Sequence, residues 1–151
     1  MVAFKGAKAQ NVAARPPDEI AALLVYGPNT GLVRERAKSA VHYAVDDLSD
    51  SFRLCEIEAK DVGDDPARLA DELSALSLVG GRRAVWLRDA TDNLTKIIGE
   101  ALENEFGDTL LVIEAGNLGP RSSLRKMFEG GSYFGAIACY DEDQDLSLIH
   151  I

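Results

Sequence analysis

The stretch LLVYGPNTGLVRERA, residues 23–37, decides the fold of this chain. An apolar run ends at Tyr26, a loop that contains Gly27 and Gly31 follows, and a helical pattern begins at once. This layout is typical of phosphate-binding loops, in which backbone N–H groups and the positive end of a helix face the phosphates. The stretch therefore raises the question of whether this loop still has the residues that bind a nucleotide.

Strand-like and helix-like segments alternate along the rest of the chain. Short apolar or alternating runs predict five strands, at Ala22–Tyr26, 52–59, 82–90, 109–116 and 133–140. Apolar residues at helical spacing predict helices at 32–48, 93–105 and 120–129, and Asp65 is expected to cap a further helix that starts with Pro66. This alternation predicts an α/β fold with a five-stranded, mostly parallel sheet and helices on both faces.

The loop departs from a working nucleotide site. A functional loop reads G-x-x-x-x-G-K-[ST], in which the Lys neutralises phosphates and the hydroxyl holds magnesium. Counting from Gly27, the second Gly, the Lys and the hydroxyl are replaced by Leu32, Val33 and Arg34, while Gly31 comes one position early. Arg34 could reach a phosphate, but no residue holds the metal. The loop of Gly27, Gly31 and Arg34 is thus predicted to be degenerate, without a catalytic residue, a metal or a cofactor.

The fourth predicted strand lacks a second acidic residue. Nucleotide hydrolases of this kind usually end that strand with adjacent acids, one near magnesium and one that orients water. Here Glu114 stands alone, followed by Ala115 and Gly116. An ordinary strand–turn–helix junction, with Gly27 to Asn29 as turn residues, explains the pattern without any nucleotide chemistry.

Composition and charge narrow the range of functions. The chain has 151 residues, 46% of them hydrophobic and 27% charged, a net charge of −9 and a pI near 4.7. So acidic a domain is not expected to hold a phosphate backbone by itself, so that DNA would be contacted only indirectly. No apolar run reaches the roughly 20 residues that span a bilayer, and the start has no secretory pattern, which indicates a cytoplasmic protein without a membrane partner. Cys55 and Cys139 are expected to be buried thiols.

Three segments, in the right order and spacing, resemble one known family. They are LVYGPNTGLVRERA (24–37), LSLVGGRRAVWLRDA (76–90) and EAGNLGPRSSLRKMFE (114–129), and CYDEDQDL (139–146) is similar to the family's connection to its second domain. The family is the delta subunit of the bacterial DNA polymerase III clamp loader, and the resemblance covers about residues 20–145.

The resemblance implies a RecA-like first domain of the AAA+ class that does not hydrolyse ATP. In the family this subunit binds the ring-shaped sliding clamp, the beta subunit, and holds one ring interface open during DNA replication. Full-length members add a small helical domain and a collar domain, which assembles with the motor subunits and delta prime. The chain itself is expected to catalyse nothing, although the holoenzyme to which the family belongs is a DNA-directed DNA polymerase.

The family's clamp contact is a Leu followed by a bulky apolar residue after a helix, which here corresponds to Leu78 and Val79. Val79 is smaller than the Phe found in the pattern, and should fill a clamp pocket less completely. At 100° per residue, Leu78 would lie about 180° from Leu69, away from the core stripe of Leu69, Leu73 and Leu76. The alternative is that the helix stops before Leu78 and that both residues pack under the sheet.

The resemblance also suggests a division of the chain. Residues 1–19 are interpreted as an N-terminal arm, 20–140 as the AAA+ domain and 141–145 as the start of a linker to a helical lid domain. The final LSLIHI, residues 146–151, matches one reading frame of a common transposon-type sequencing adapter. We expect it to be an adapter artefact on a truncated gene product, and a natural amphipathic ending is the alternative.

Two other functions remain open at this point. One is a P-loop ATPase with an unusual loop, against which the missing Lys and Ser or Thr argue. The other is a RecA-like scaffold that binds a different protein.

Overall fold

The computed structural model describes residues 3–4, 13, 20–75, 82–103, 109–131 and 134–140. Strands in these segments are β1 (Ala3–Phe4), β2 (Ala22–Tyr26), β3 (Leu54–Glu58), β4 (Arg83–Ala90), β5 (Thr109–Ala115) and β6 (Phe134–Ala138). The α-helices are α1 (Thr30–Ala44), α2 (Ala59–Asp64), α3 (Ala67–Ser74), α4 (Thr95–Leu102) and α5 (Ser123–Gly130), and a 3-10 turn spans Asp92–Leu94.

The strands form one parallel sheet in the order β1-β6-β2-β5-β4-β3. Every residue of β2 and β5 is buried, as their mostly apolar sequences predict for the middle of a parallel sheet. In the edge strand β3, by contrast, only Leu54 and Ile57 are buried. The predicted α/β class and the five predicted strands are therefore confirmed. The two-residue β1, which pairs with β6, was not predicted, because so short a run carries no periodicity.

Helices cover both faces of the sheet, so the domain has three layers. Leu24 and Tyr26 of β2 belong to a core cluster with α2, α3, α4 and α5, whereas the alternate residues Leu23 and Val25 belong to a second cluster with α1. This division follows from the two-residue period of a strand, which sends successive side chains to opposite faces. Burying each large apolar side chain contributes about 1.5–3 kcal/mol. The two clusters hold the carboxyl ends of β2, β5 and β6 together at one end of the sheet.

The helix boundaries differ from the predicted ones where the chain turns tightly. The helix predicted for 32–48 begins earlier, at Thr30, and ends at Ala44, because Val45 is extended. The capping role predicted for Asp65 is wrong. Its N–H donates to Asp61 O at 3.0 Å and closes α2, while its carbonyl accepts from Arg68 N at 3.1 Å in the next helix. One residue thus serves both helices through its backbone. The short helix α2 was not predicted.

Candidate functional site

The loop that follows β2 is pinned between the ends of two neighbouring strands. Gly27 N donates to Gly116 O at 3.0 Å, and Cys139 N donates to Tyr26 O at 2.7 Å. Gly27 has a φ of 146°, a conformation that L-residues with a side chain rarely adopt. A Cβ at Gly27 would lie 2.0 Å from Cys139 O. Because Gly27 has no side chain, the loop can pack closely against the backbone at the end of strand β6.

The start of α1 is capped by its own sequence. Asn29 Oδ1 accepts from Leu32 N at 3.0 Å, and Asn29 O accepts from Val33 N at 3.0 Å. Helix N-termini bind phosphate through such N–H groups, and Pro28 has no N–H to offer. Gly31, the glycine that comes one position early in the motif, lies exposed in the first turn of the helix. Of the donors that a phosphate would use, Gly27 N and Leu32 N are therefore bonded within the protein, and Pro28 has none.

Arg34, the predicted phosphate contact, is engaged within the protein. Its Nε donates to Glu114 Oε1 at 3.0 Å, although these residues are far apart in sequence. The Glu114 side chain is 8% exposed and that of Arg34 is 53% exposed. The hydrogen bond and charge of Glu114 raise the pKa of Arg34 above its ordinary value. The structure thus brings together the two residues that the sequence singled out in separate motifs, and they form a pair with each other.

Arg88, which the sequence analysis did not single out, extends this pair into a network. Its Nε lies 3.5 Å from Glu114 Oε2, and its Nη1 lies 3.8 Å from Glu56 Oε1 and 4.0 Å from Glu58 Oε1. The guanidinium stacks over the Trp86 ring at 4.7 Å from the centroid. In the sequence, its position at the carboxyl end of a predicted strand was the signal that could have indicated a role for Arg88 at this site. Glu114 therefore has a cation on each side.

Asp89 is a second residue at this end of the sheet that sequence reasoning missed. Its φ is 58°, in the left-handed region, and the pairing of β4 with β5 shifts register between Leu87 and Ala90. Asp tolerates this region better than most residues, and such conformations are often found at functional sites. The negative charge of Asp89 contributes to the raised pKa of Arg34. No pattern of apolar residues could have indicated this backbone irregularity.

Cationic and carboxylate side chains lie at the carboxyl end of the sheet, but their charges neutralise each other. In the described part of the chain, no three His, Cys, Asp or Glu side chains are grouped to hold a metal ion. Cys55 and Cys139 do not form a disulfide, and burial raises the pKa of the Cys55 thiol to about 11, so this thiol stays protonated at neutral pH. The carboxyl end of the sheet, where a nucleotide crevice would lie, holds Asn29, Arg34, Arg88 and Glu114. We refer to these four residues as the crevice network.

The predicted clamp-binding pair, Leu78 and Val79, lies outside the described residues, as does Leu76. Leu69 and Leu73 are buried in the core as predicted. The helix on which Leu78 was projected about 180° from Leu69 ends at Ser74, and Ala75 has an extended backbone, so the helix stops before Leu78, as the alternative expectation had it.

The residues on either side of 76–81 are firmly held. Arg83, 7% exposed, donates from Nη1 to Glu72 O at 2.7 Å and to Ala75 O at 3.3 Å. Its Nε donates to Phe52 O at 3.2 Å, and its Nη2 contacts Glu72 Oε2 at 3.3 Å. One guanidinium therefore joins the end of α3, the start of β4 and the turn before β3.

The fold is shared with solved structures, although no protein family and no curated protein gives a significant sequence match. The chain aligns with a gamma-subunit-related protein of DNA polymerase III from Thermotoga maritima at 17% identity and a TM-score of 0.58, over 91% of this chain and 47% of that one. It aligns with domain III of the replication initiation protein DnaA from Thermotoga maritima at 14% identity and a TM-score of 0.54, over 94% of this chain and 64% of that one.

The chain thus spans about half the length of the first protein and less than two thirds of the second structure. At such identities the likeness concerns the fold. None of the helices in the described segments is long and apolar enough to cross a membrane. The chain has a three-layer α/β fold with a parallel sheet, and it shares this fold with these two structures.

Proposed function

We propose that this chain is a non-hydrolysing AAA+ subunit of a bacterial clamp loader, of the delta type, which binds the sliding clamp and holds one ring interface open. The observation that carries the proposal is the crevice network. Arg34 is paired with Glu114, and Asn29 caps the helix that would otherwise receive phosphate. An AAA+ domain whose Arg34 is paired with its own Glu114, and whose helix start is capped by its own Asn29, is suited to binding a partner, not to turning over ATP.

Two further observations support a role in clamp loading. One neighbour in fold is related to the gamma subunit of DNA polymerase III. The described residues of the three segments that resemble the delta subunit lie around the crevice network and around Arg83, in the order that the family has. The partners that we propose for the full-length protein are the sliding clamp, the motor subunits and delta prime, in the cytoplasm.

The clamp contact that we propose is Leu78 with Val79. The described residues on either side of this segment, Ala75 and Arg82, are at the amino end of the sheet, opposite the crevice network. A contact at that end leaves the crevice free of any role in binding the clamp. Clamp binding should therefore be independent of nucleotide.

Contact with DNA is proposed to be indirect. The net charge of −9 repels a duplex at moderate salt, so DNA should be engaged only when the clamp and the other loader subunits are present. A gel shift that shows sub-micromolar binding of duplex DNA by the chain alone, at physiological ionic strength, would contradict this.

The experiment is a titration of the chain over an immobilised bacterial sliding clamp by surface plasmon resonance. Wild-type chain should bind, with the same affinity in the presence and absence of Mg-ATP. The Leu78→Ser/Val79→Ser variant should bind roughly 100-fold more weakly, since burying each side chain contributes about 1.5–3 kcal/mol. A thermal melt of the same variant should match the wild type, because a partner-binding pair does not support the core.

Each contrary outcome points to another function. A normally folded chain that binds no sliding clamp would favour a scaffold for a different protein. ATP turnover that is lost in a Glu114→Gln variant would favour the P-loop ATPase. A double variant that loses several kcal/mol of stability would place Leu78 and Val79 in the core.

A further inference from the structure

We draw no further inference here: the strongest candidate, the apolar groove between α4 and α5 that is lined by Gly99, Leu102, Met127 and Phe134, carries nothing, because nothing in the described part of the chain shows what covers it.

Discussion

A Gly27→Ala substitution is expected to destabilise the protein far more than a Gly→Ala change usually does. The φ of 146° is unfavourable for alanine, and the added Cβ would lie 2.0 Å from Cys139 O and 2.9 Å from Cys139 N. These are backbone atoms of a strand end that also donates to Tyr26 O at 2.7 Å, so they cannot move aside cheaply.

The expected cost has two parts. Holding a non-glycine residue in a rare backbone conformation costs about 1–3 kcal/mol, and overpacking a well-packed position costs about 1–3 kcal/mol more. For a chain of this size each kcal/mol lowers the melting temperature by about 2–4 °C. Gly27→Ala should therefore melt at least about 4 °C below the wild type.

Gly63→Ala is the matched control. An added Cβ at Gly63, inside α2, meets nothing within 4 Å, so the change should stabilise the protein by about 0.5 kcal/mol through helix propensity. The assay is a thermal melt followed by circular dichroism on all three proteins. If Gly27→Ala melts with the wild type, or if Gly63→Ala is equally damaging, the account of the loop as a tightly pinned turn is wrong.

Three further predictions concern side-chain contacts. Arg34→Met should lower the free energy of unfolding by about 1–2 kcal/mol, because it leaves the buried Glu114 Oε1 without its donor, and an unchanged urea midpoint would contradict the pairing. Arg83→Met should cost about 2–4 kcal/mol by the same measurement, and Arg83→Lys should restore only part of this, since an ammonium cannot reach three carbonyls as a planar guanidinium does. The Ser122 hydroxyl, with the Leu124 N–H, lowers the pKa of Asp92. This stabilisation is present above the unfolded pKa of about 3.9 and is lost as the pH falls through the lower folded value, so Asp92→Asn should flatten the pH dependence of stability in that acid range.

Much of the fold follows from local sequence. Residues 110–113 are apolar throughout, which predicts a central parallel strand, whereas Asn29, which was interpreted as a turn residue, caps the helix. The two-residue β1 and the short α2 carry too few residues to show a period. The end of α3 at Ser74 could not be predicted, because the carbonyls there are held by Arg83 from a distant strand.

The candidate site was predictable in its parts but not in its arrangement. The missing Lys and hydroxyl in the loop, and the lone acid at Glu114, are visible in the sequence. That Arg34 bonds to Glu114 depends on the pairing of β2 with β5, which no local pattern specifies. The left-handed Asp89 depends on a register shift between strands, which is likewise a property of the folded sheet.

We propose that the pairing of Arg34 with Glu114 and the capped start of α1 leave this chain unable to bind a nucleotide tightly. The most direct measurement is a calorimetric titration of the chain with Mg-ATP. Because Asn29 accepts the Leu32 N–H at the helix start and Glu114 binds Arg34, we expect no binding tighter than roughly millimolar, about 4 kcal/mol. Micromolar binding of Mg-ATP to the wild-type chain would contradict it.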